Sequence, residues 1–264
     1  MFICPICGLK LNNAGNKYIC SKNHSFDIAR QGYINLLPVS GKKSKNPGDN
    51  EIMSIARKDF LDGGYYAPLK DRILEILDEN GIKTVVDSGC SEGYYTKSMA
   101  TKVEKVYAFD ISKYAVKIAS AEDKKSKYFV ASAFNIPLRD CSADCITKIF
   151  APDSPKEFSR ILKTDGKLIE IIPAEKHLLE LKQKLYENVY LNKVEKAEKE
   201  GFSLEKEELL TYAFTPDSKK RQSLFKMTPY YYKTNPERQE KLMSEDEFSI
   251  TAEFIIRMYK KIEK

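Results

Sequence analysis

The stretch Val85-Val86-Asp87-Ser88-Gly89-Cys90-Ser91-Glu92-Gly93 constrains the fold more than any other part of the chain. A β-branched run ends in a carboxylate, a loop with two glycines follows, and Tyr94 to Ala100 then reads as a helix. A buried parallel strand passes into a helix in this way above a nucleoside-type ligand. Gly89 and Gly93 would let the backbone come close where a Cβ would intrude. An ordinary strand–turn–helix without a ligand uses the same residues, so the following strand decides. Lys105 to Asp110 ends in a carboxylate 23 positions after Asp87, close to the spacing of an acid that holds two ribose hydroxyls.

Three chemistries compete for the loop. The dinucleotide pattern G-x-G-x-x-G would need glycines where Ser91 and Tyr94 stand. Gly89 to Gly93 also fits G-x-S-x-G, the nucleophile elbow of hydrolases, which requires a downstream acid and then a histidine. Only His177 lies downstream. The third pattern, strand, acid, x-G-x-G-x-G, resembles the first motif of class I S-adenosylmethionine (AdoMet)-dependent methyltransferases, with Ser91 at a usual glycine. That resemblance implies an α/β fold, a Rossmann-like seven-stranded sheet.

The amino terminus carries a second pattern. Cys4-Pro5-Ile6-Cys7 is a knuckle, and Cys20-Ser21-Lys22-Asn23-His24 follows after twelve residues. Two pairs of soft ligands so spaced can close a tetrahedron around Zn²⁺. Four protein ligands leave no open position, so the site is expected to be structural. A cluster of free thiols beside a chance histidine is the plainer alternative. Six cysteines, no signal peptide and no apolar run of membrane length predict a cytosolic protein without a membrane partner. A net charge of +6 mildly favours a polyanionic partner.

The division expected is a zinc-binding RNA-recognition module at 1–37, a linker and helix at 38–68, and a methyltransferase domain at 69–264. Lys42, Lys43 and Lys45 in the linker could contact phosphates or be merely solvated. Helices are expected at Glu51 to Asp62 and Leu69 to Asn80, and Tyr66 before the second could lean over the cofactor. Beyond Asp110 the βαβ pattern continues, and the resemblance to methyltransferases implies that Ala133 and Phe134 flank the adenine. The fourth strand ends at Phe150-Ala151-Pro152-Asp153. Pro173 to about Lys199 reads as one long charged helix, and two late alternating segments as an antiparallel pair. Lys219 to Lys233 interleaves cations with aromatics, which suits nucleic acid or a packed surface.

Taken in order, the knuckles, Gln31 to Pro38, Arg57 to Leu69, Gly89 to Thr96, Phe150-Ala151-Pro152, His177 to Lys182 and Met227-Thr228-Pro229 resemble RlmA-type 23S rRNA (guanine-N1)-methyltransferases. The likeness spans nearly the whole chain, and the family includes the macrolide-resistance branch of tylosin producers. It implies zinc on Cys4, Cys7, Cys20 and His24, and AdoMet contacts from Tyr66, Ser91, Glu92 and His177. It implies as well that Asp110 would hold the ribose, with Asp87, Gly89 and Gly93 expected to shape the cofactor loop. The implied substrate is a guanine in a hairpin loop of 23S rRNA near the peptide exit tunnel. A homodimer is compatible with this reading. Asp153 stands where relatives commonly have cysteine, and it is the candidate catalytic carboxylate. Two other functions remain open on the residues alone: methylation of a small metabolite or protein, and a non-catalytic zinc-bearing RNA-binding protein.

Overall fold

The structure is a computed structural model and describes residues 1–38, 47–244 and 246–262. The expected phosphate contacts Lys42, Lys43 and Lys45 lie outside the described residues. The head begins with a three-stranded antiparallel sheet, β1 (Asn12–Asn13), β2 (Lys17–Ile19) and β3 (Ser25–Asp27). Next come β4 (Ile34–Asn35), α1 (Glu51–Asp62) and α2 (Ala67–Glu79). The body alternates: β5 (Thr84–Ser88), α3 (Tyr94–Met99), β6 (Lys105–Asp110), α4 (Lys113–Glu122), β7 (Lys127–Val130), β8 (Ala143–Ile149), α5 (Pro155–Ile161) and β9 (Leu162–Pro173). It finishes with α6 (Leu179–Leu185), β10 (Phe202–Phe214), α7 (Ser218–Lys226), α8 (Pro236–Ser244) and β11 (Ile250–Lys261).

Local chemistry explains the helix starts. The Asn50 side chain accepts from the Met53 amide and opens α1, with Glu51 in the first turn. Ser112 caps α4 and Asp217 caps α7 in the same way. Gly81, at φ +59°, ends the turn after α2.

The large sheet runs β10-β11-β9-β8-β5-β6-β7-β4. It is parallel except where β11 pairs antiparallel with β9 and β10. The seven expected strands are present, and an eighth joins them: the segment expected to form the head gives up Ile34 and Asn35 to pair with Phe129 and Val130 of β7. A two-residue strand leaves no periodicity to read. On β5, Val85 and Val86 point to opposite faces. Val85 joins a core with Phe60, Leu69 and Ile73 from α1 and α2, and Val86 joins one with Phe2, Leu11 and Phe158. The head is therefore packed into the body's core. Among the described residues, no helix is long and apolar enough to cross a membrane.

The long helix expected over 173–199 does not form. Only Leu179–Leu185 is helical, entered through Leu178 at φ +57°. Beyond it the chain runs irregularly to β10. The Asn192 amide bonds to Glu175 O at 2.9 Å, and its side chain donates to Ala174 O and His177 O at 2.8 and 3.2 Å. These tertiary ties override the helical charge pattern.

Candidate cofactor cleft and metal site

The chain crosses from one half of the sheet to the other between β5 and β8, and a cleft opens at their carboxyl ends, as such switch points require. Its volume is about 440 Å³. Gly89, Cys90, Ser91 and Glu92 form one wall, and Phe150, Ala151 and Pro152 face them. Gly89 has φ +78°, and a Cβ there would lie 2.4 Å from the Ala151 Cβ. Ser91, at the position where glycine is usual, has φ +47°. The backbone requirement explains the usual glycine, and serine meets it with some strain. Gly93 does not line the cleft. At φ +87° it begins α3, and a Cβ would stand 2.8 Å from Ala119 and 2.9 Å from the Tyr128 hydroxyl.

Four carboxylates line the cleft: Asp87, Glu92 and Asp110 around the glycine loop, and Asp49, which pairs with Arg57. Asp87 is 2% exposed and accepts from Thr96 Oγ1 at 2.5 Å and Thr147 Oγ1 at 2.9 Å. Asp110 accepts the Ser91 amide at 3.1 Å and the Ser112 amide at 2.8 Å, which fixes the glycine loop to the end of β6. Each oxygen keeps a lone pair for a ligand hydroxyl. Glu92 is 5% exposed, and among the described residues neither oxygen has a hydrogen-bond partner. Its nearest cation is Arg57 Nε at 3.8 Å, also without a hydrogen bond. Burial raises the proton affinity of Glu92 although Arg57 opposes it. A buried carboxylate with both oxygens unpaired is costly unless a ligand satisfies it.

Burial pushes the Asp87 carboxyl up from 3.8 to about 6, with the two threonines opposing. Between those values the folded chain holds more proton than the unfolded chain. This group therefore favours folding most below pH 3.8, and that contribution is lost as pH rises through about 6. Asp87→Asn is expected to raise stability at pH 7, by at most on the order of 3 kcal/mol, and by less at pH 5. Melting both proteins at the two pH values checks this; an equal gain at both, or a loss at pH 7, would contradict it.

The opposite side of the cleft is aromatic. Tyr66 is 2% exposed, and its hydroxyl lies 3.3 Å from His177 Nε2. His177 Nδ1 accepts the Glu253 amide at 3.3 Å, which leaves the proton on Nε2. Burial, with Lys182 adding, pushes His177 down to about 3, so it stays neutral. Phe150 stacks on His177, ring centres 6.1 Å apart, with its own backbone at φ +53°.

Of the sequence-predicted site residues, Tyr66, Asp87, Gly89, Ser91, Glu92, Asp110 and His177 line the cleft together. Ala133, Phe134 and Asp153 do not. Ala133 packs against the head's core and Phe134 is 68% exposed, because the loop after β7 is bound to the head by the Ile3 amide on Pro137 O at 3.0 Å. Asp153 is bound to Lys199 instead. Asp49, Arg57, Tyr95, Asn192 and Tyr230 line the cleft as well, without a local sequence signal for that role. They come from four separate stretches, of which Asp49 and Arg57 share the one that opens and forms α1. In the basic–aromatic stretch, Arg221, Leu224 and Phe225 are buried and Lys220 pairs with Asp59, while Met227 to Tyr230 reach the cleft.

The head brings Cys4, Cys7, Cys20 and His24 together, with all four ligand atoms within 4.8 Å of one another. Cys7 and Cys20 sulfurs are 3.7 Å apart, and His24 Nδ1 is 3.5 Å from the sulfurs of Cys4 and Cys20. Two sulfurs each at ~2.3 Å from a tetrahedral ion stand about 3.8 Å apart. The four residues fit zinc.

A family model described as "RlmA, N-terminal", a zinc ribbon, matches residues 2–45, and a methyltransferase-domain model matches 86–169. A Bacillus subtilis protein provisionally named 23S rRNA (guanine-N(1)-)-methyltransferase YxjB is 34% identical over 197 residues, 70% of this chain and 69% of that protein. The 23S rRNA (guanine(748)-N(1))-methyltransferase of Streptomyces fradiae is 34% identical over 185 residues, 67% of this chain and 65% of the relative. Among solved structures, a chain in the complex of the Haloferax volcanii Trm112 methyltransferase activator with a provisionally assigned methyltransferase is similar in fold, with TM-score 0.53 and 16% identity over 82% of this chain and all of that one.

Proposed function

Because the chain belongs to the 23S rRNA (guanine-N1)-methyltransferase family, we propose that it methylates N1 of a guanine in 23S rRNA, using AdoMet. The observation that carries this reading is the union in one chain of the family's zinc ribbon and a methyltransferase domain. We retain the division into a zinc-bearing RNA-recognition head at 1–37, a linker and helix at 38–68, and a methyltransferase body at 69–264.

When bound, AdoMet supplies an electrophilic methyl group on a sulfonium. The cleft suits it: a close glycine cradle, a ribose acid, and a buried carboxylate, Glu92, with no hydrogen-bond partner among the described residues, for a cationic or hydroxyl-bearing ligand. Asp110 would accept the ribose hydroxyls, while Asp87, Gly89 and Gly93 hold the loop in shape. Ser91, Glu92, Tyr66 and His177 would contact the remainder of the cofactor. Zn²⁺ on the head would be structural, since four protein ligands close its shell.

The target is proposed to be a hairpin-loop guanine near the peptide exit tunnel, where a methyl group would alter macrolide susceptibility. A loop base is already partly unstacked and costs less to extrude. Phe150, 41% exposed at the cleft wall and backed by His177, offers the ring against which the base would lie. Guanine N1 must lose its proton as the methyl group arrives in line, so positioning carries much of the rate. A homodimer is the assembly we expect, through the outer edge of β10, where Leu204 and Leu209 are exposed; light scattering returning the single-chain mass of 30.2 kDa would remove that part. Work on ribosomal RNA would take place in the cytoplasm.

Primer extension on cognate 23S rRNA incubated with the protein and AdoMet tests the activity. A stop at one guanine is expected, because N1 methylation blocks the Watson–Crick edge. A product without any stop would refute it.

A further inference from the structure

Four neighbouring strands carry charged side chains in register on one face of the sheet. Lys148 of β8 stands opposite Glu170 of β9, Glu170 opposite Arg257 of β11, and Arg257 opposite Glu207 of β10. Lys148 Nζ is 2.7 Å from Glu170 Oε1, and Arg257 Nε is 2.6 Å from Glu207 Oε2. Lys148, Glu170 and Arg257 are each almost wholly buried. The segment after α6 covers this ladder: Arg257 donates to Glu195 O and Lys196 O at 2.9 and 3.3 Å. Lys199 then enters it. Its ammonium donates to Glu170 Oε1 at 3.0 Å and to Asp153 Oδ2, and lies 5.5 Å over the Tyr259 ring.

Asp153 belongs to the loop that carries Phe150, Ala151 and Pro152 along the cleft. That loop is strained at Phe150 and lies directly over Gly89, so its surroundings must hold it. The Phe150 amide on Ile171 O at 3.1 Å secures its start, and the Asp153–Lys199 pair secures its end. We propose that Asp153 is a tether rather than the proton acceptor, and that Lys199 is a positioning residue that fixes the Phe150 loop for methyl transfer. Without Lys199, Glu170 still has Lys148, Arg257 and the Tyr259 hydroxyl, so the sheet retains its charge partners. Among the described residues Asp153 retains only Lys148, at 4.0 Å. The proposal deepens the rRNA-methylation reading and rests on it.

The test compares wild type with Asp153→Asn, Lys199→Met, Lys199→Arg and the Asn/Met double variant. It measures kcat and KM on rRNA, AdoMet affinity by calorimetry, and amide exchange across residues 149–154. Asp153→Asn and Lys199→Met should each lower kcat by roughly ten- to a hundredfold, the scale of a small misplacement. The double variant should be no worse than either, because both remove one interaction. Lys199→Arg should restore most of the rate, AdoMet affinity should stay within about twofold of wild type, and the loop amides should exchange faster. An inactive Asp153→Asn beside a fully active Lys199→Met would overturn the proposal, since Asp153 would then act on the substrate. Unchanged loop exchange in both single variants would overturn it too. Should Lys199→Met fail to fold, Asp153→Asn against Lys199→Arg decides by the same two readouts. A wild type that does not methylate rRNA would defeat the functional reading alone, because loop exchange judges the tether independently.

Discussion

Stripping the metal from Cys4, Cys7, Cys20 and His24 is expected to unfold the head, expose the edge of β7 and end methyl transfer to RNA. A structural zinc site contributes on the order of 10 kcal/mol, as much as the whole stability of a typical domain. The head's own strands are only two or three residues long and hold it weakly without the metal. The damage should not stop there. Phe2 packs edge-on against Tyr18 of the head and against Tyr107 and Phe129 of the body, at centroid distances of 5.3, 5.5 and 5.2 Å. β4 covers β7, and the Ile3 amide holds the loop after β7. A chelator should therefore lower the melting temperature of the entire chain and speed amide exchange over residues 127–138. If metal analysis finds no zinc and the melt and exchange are those of the loaded protein, the head is not stapled by a metal.

The parts legible in the sequence were those whose chemistry is local. A metal site built from two knuckles needs its ligands at short fixed spacings, so Cys4 to His24 declared themselves. The glycine loop and Asp110 did so too, because a strand that ends over a ligand repeats the same order of residue types. The start of α1 follows from Asn50 alone. What failed did so where distant contacts outweigh local pattern. Lysines and glutamates between Pro173 and Lys199 imitate a solvated helix, yet Asn192 draws the chain back to Ala174 and His177, and the Lys182 ammonium bonds its side chain at 2.6 Å. Phe134 follows the right strand for an adenine contact, but its loop is bound to the head. Arg57 opens one of the stretches that carry the family resemblance, but nothing in that stretch points to Glu92, and only the fold brings the two together. Asp153 follows the fourth strand, as the order of residues predicts; its partner Lys199, 46 residues away, leaves no signal there.

Gly89→Ala should be the most damaging single methyl group that can be added to the cleft. Alanine at φ +78° costs roughly 1–2 kcal/mol. Its Cβ would stand 2.4 Å from that of Ala151, where nothing can give except the two loop backbones. Overpacking of this kind costs about 1–3 kcal/mol, and the relief available is to push the Phe150 loop off the glycine loop. Both loops line the cleft, so AdoMet affinity should fall by on the order of a hundredfold or more, with a melting temperature several degrees lower. Ala151→Gly added to the same chain removes the collision but not the backbone strain, and should recover part of the affinity. Gly93→Ala provides the contrast. Its Cβ would meet Ala119 and Tyr128 behind α3 rather than the ligand, so it should lower stability while the chain that remains folded binds AdoMet nearly as wild type does. Calorimetry and melting of the four proteins separate the two effects. Wild-type AdoMet affinity in Gly89→Ala would mean that the cofactor does not lie against this loop.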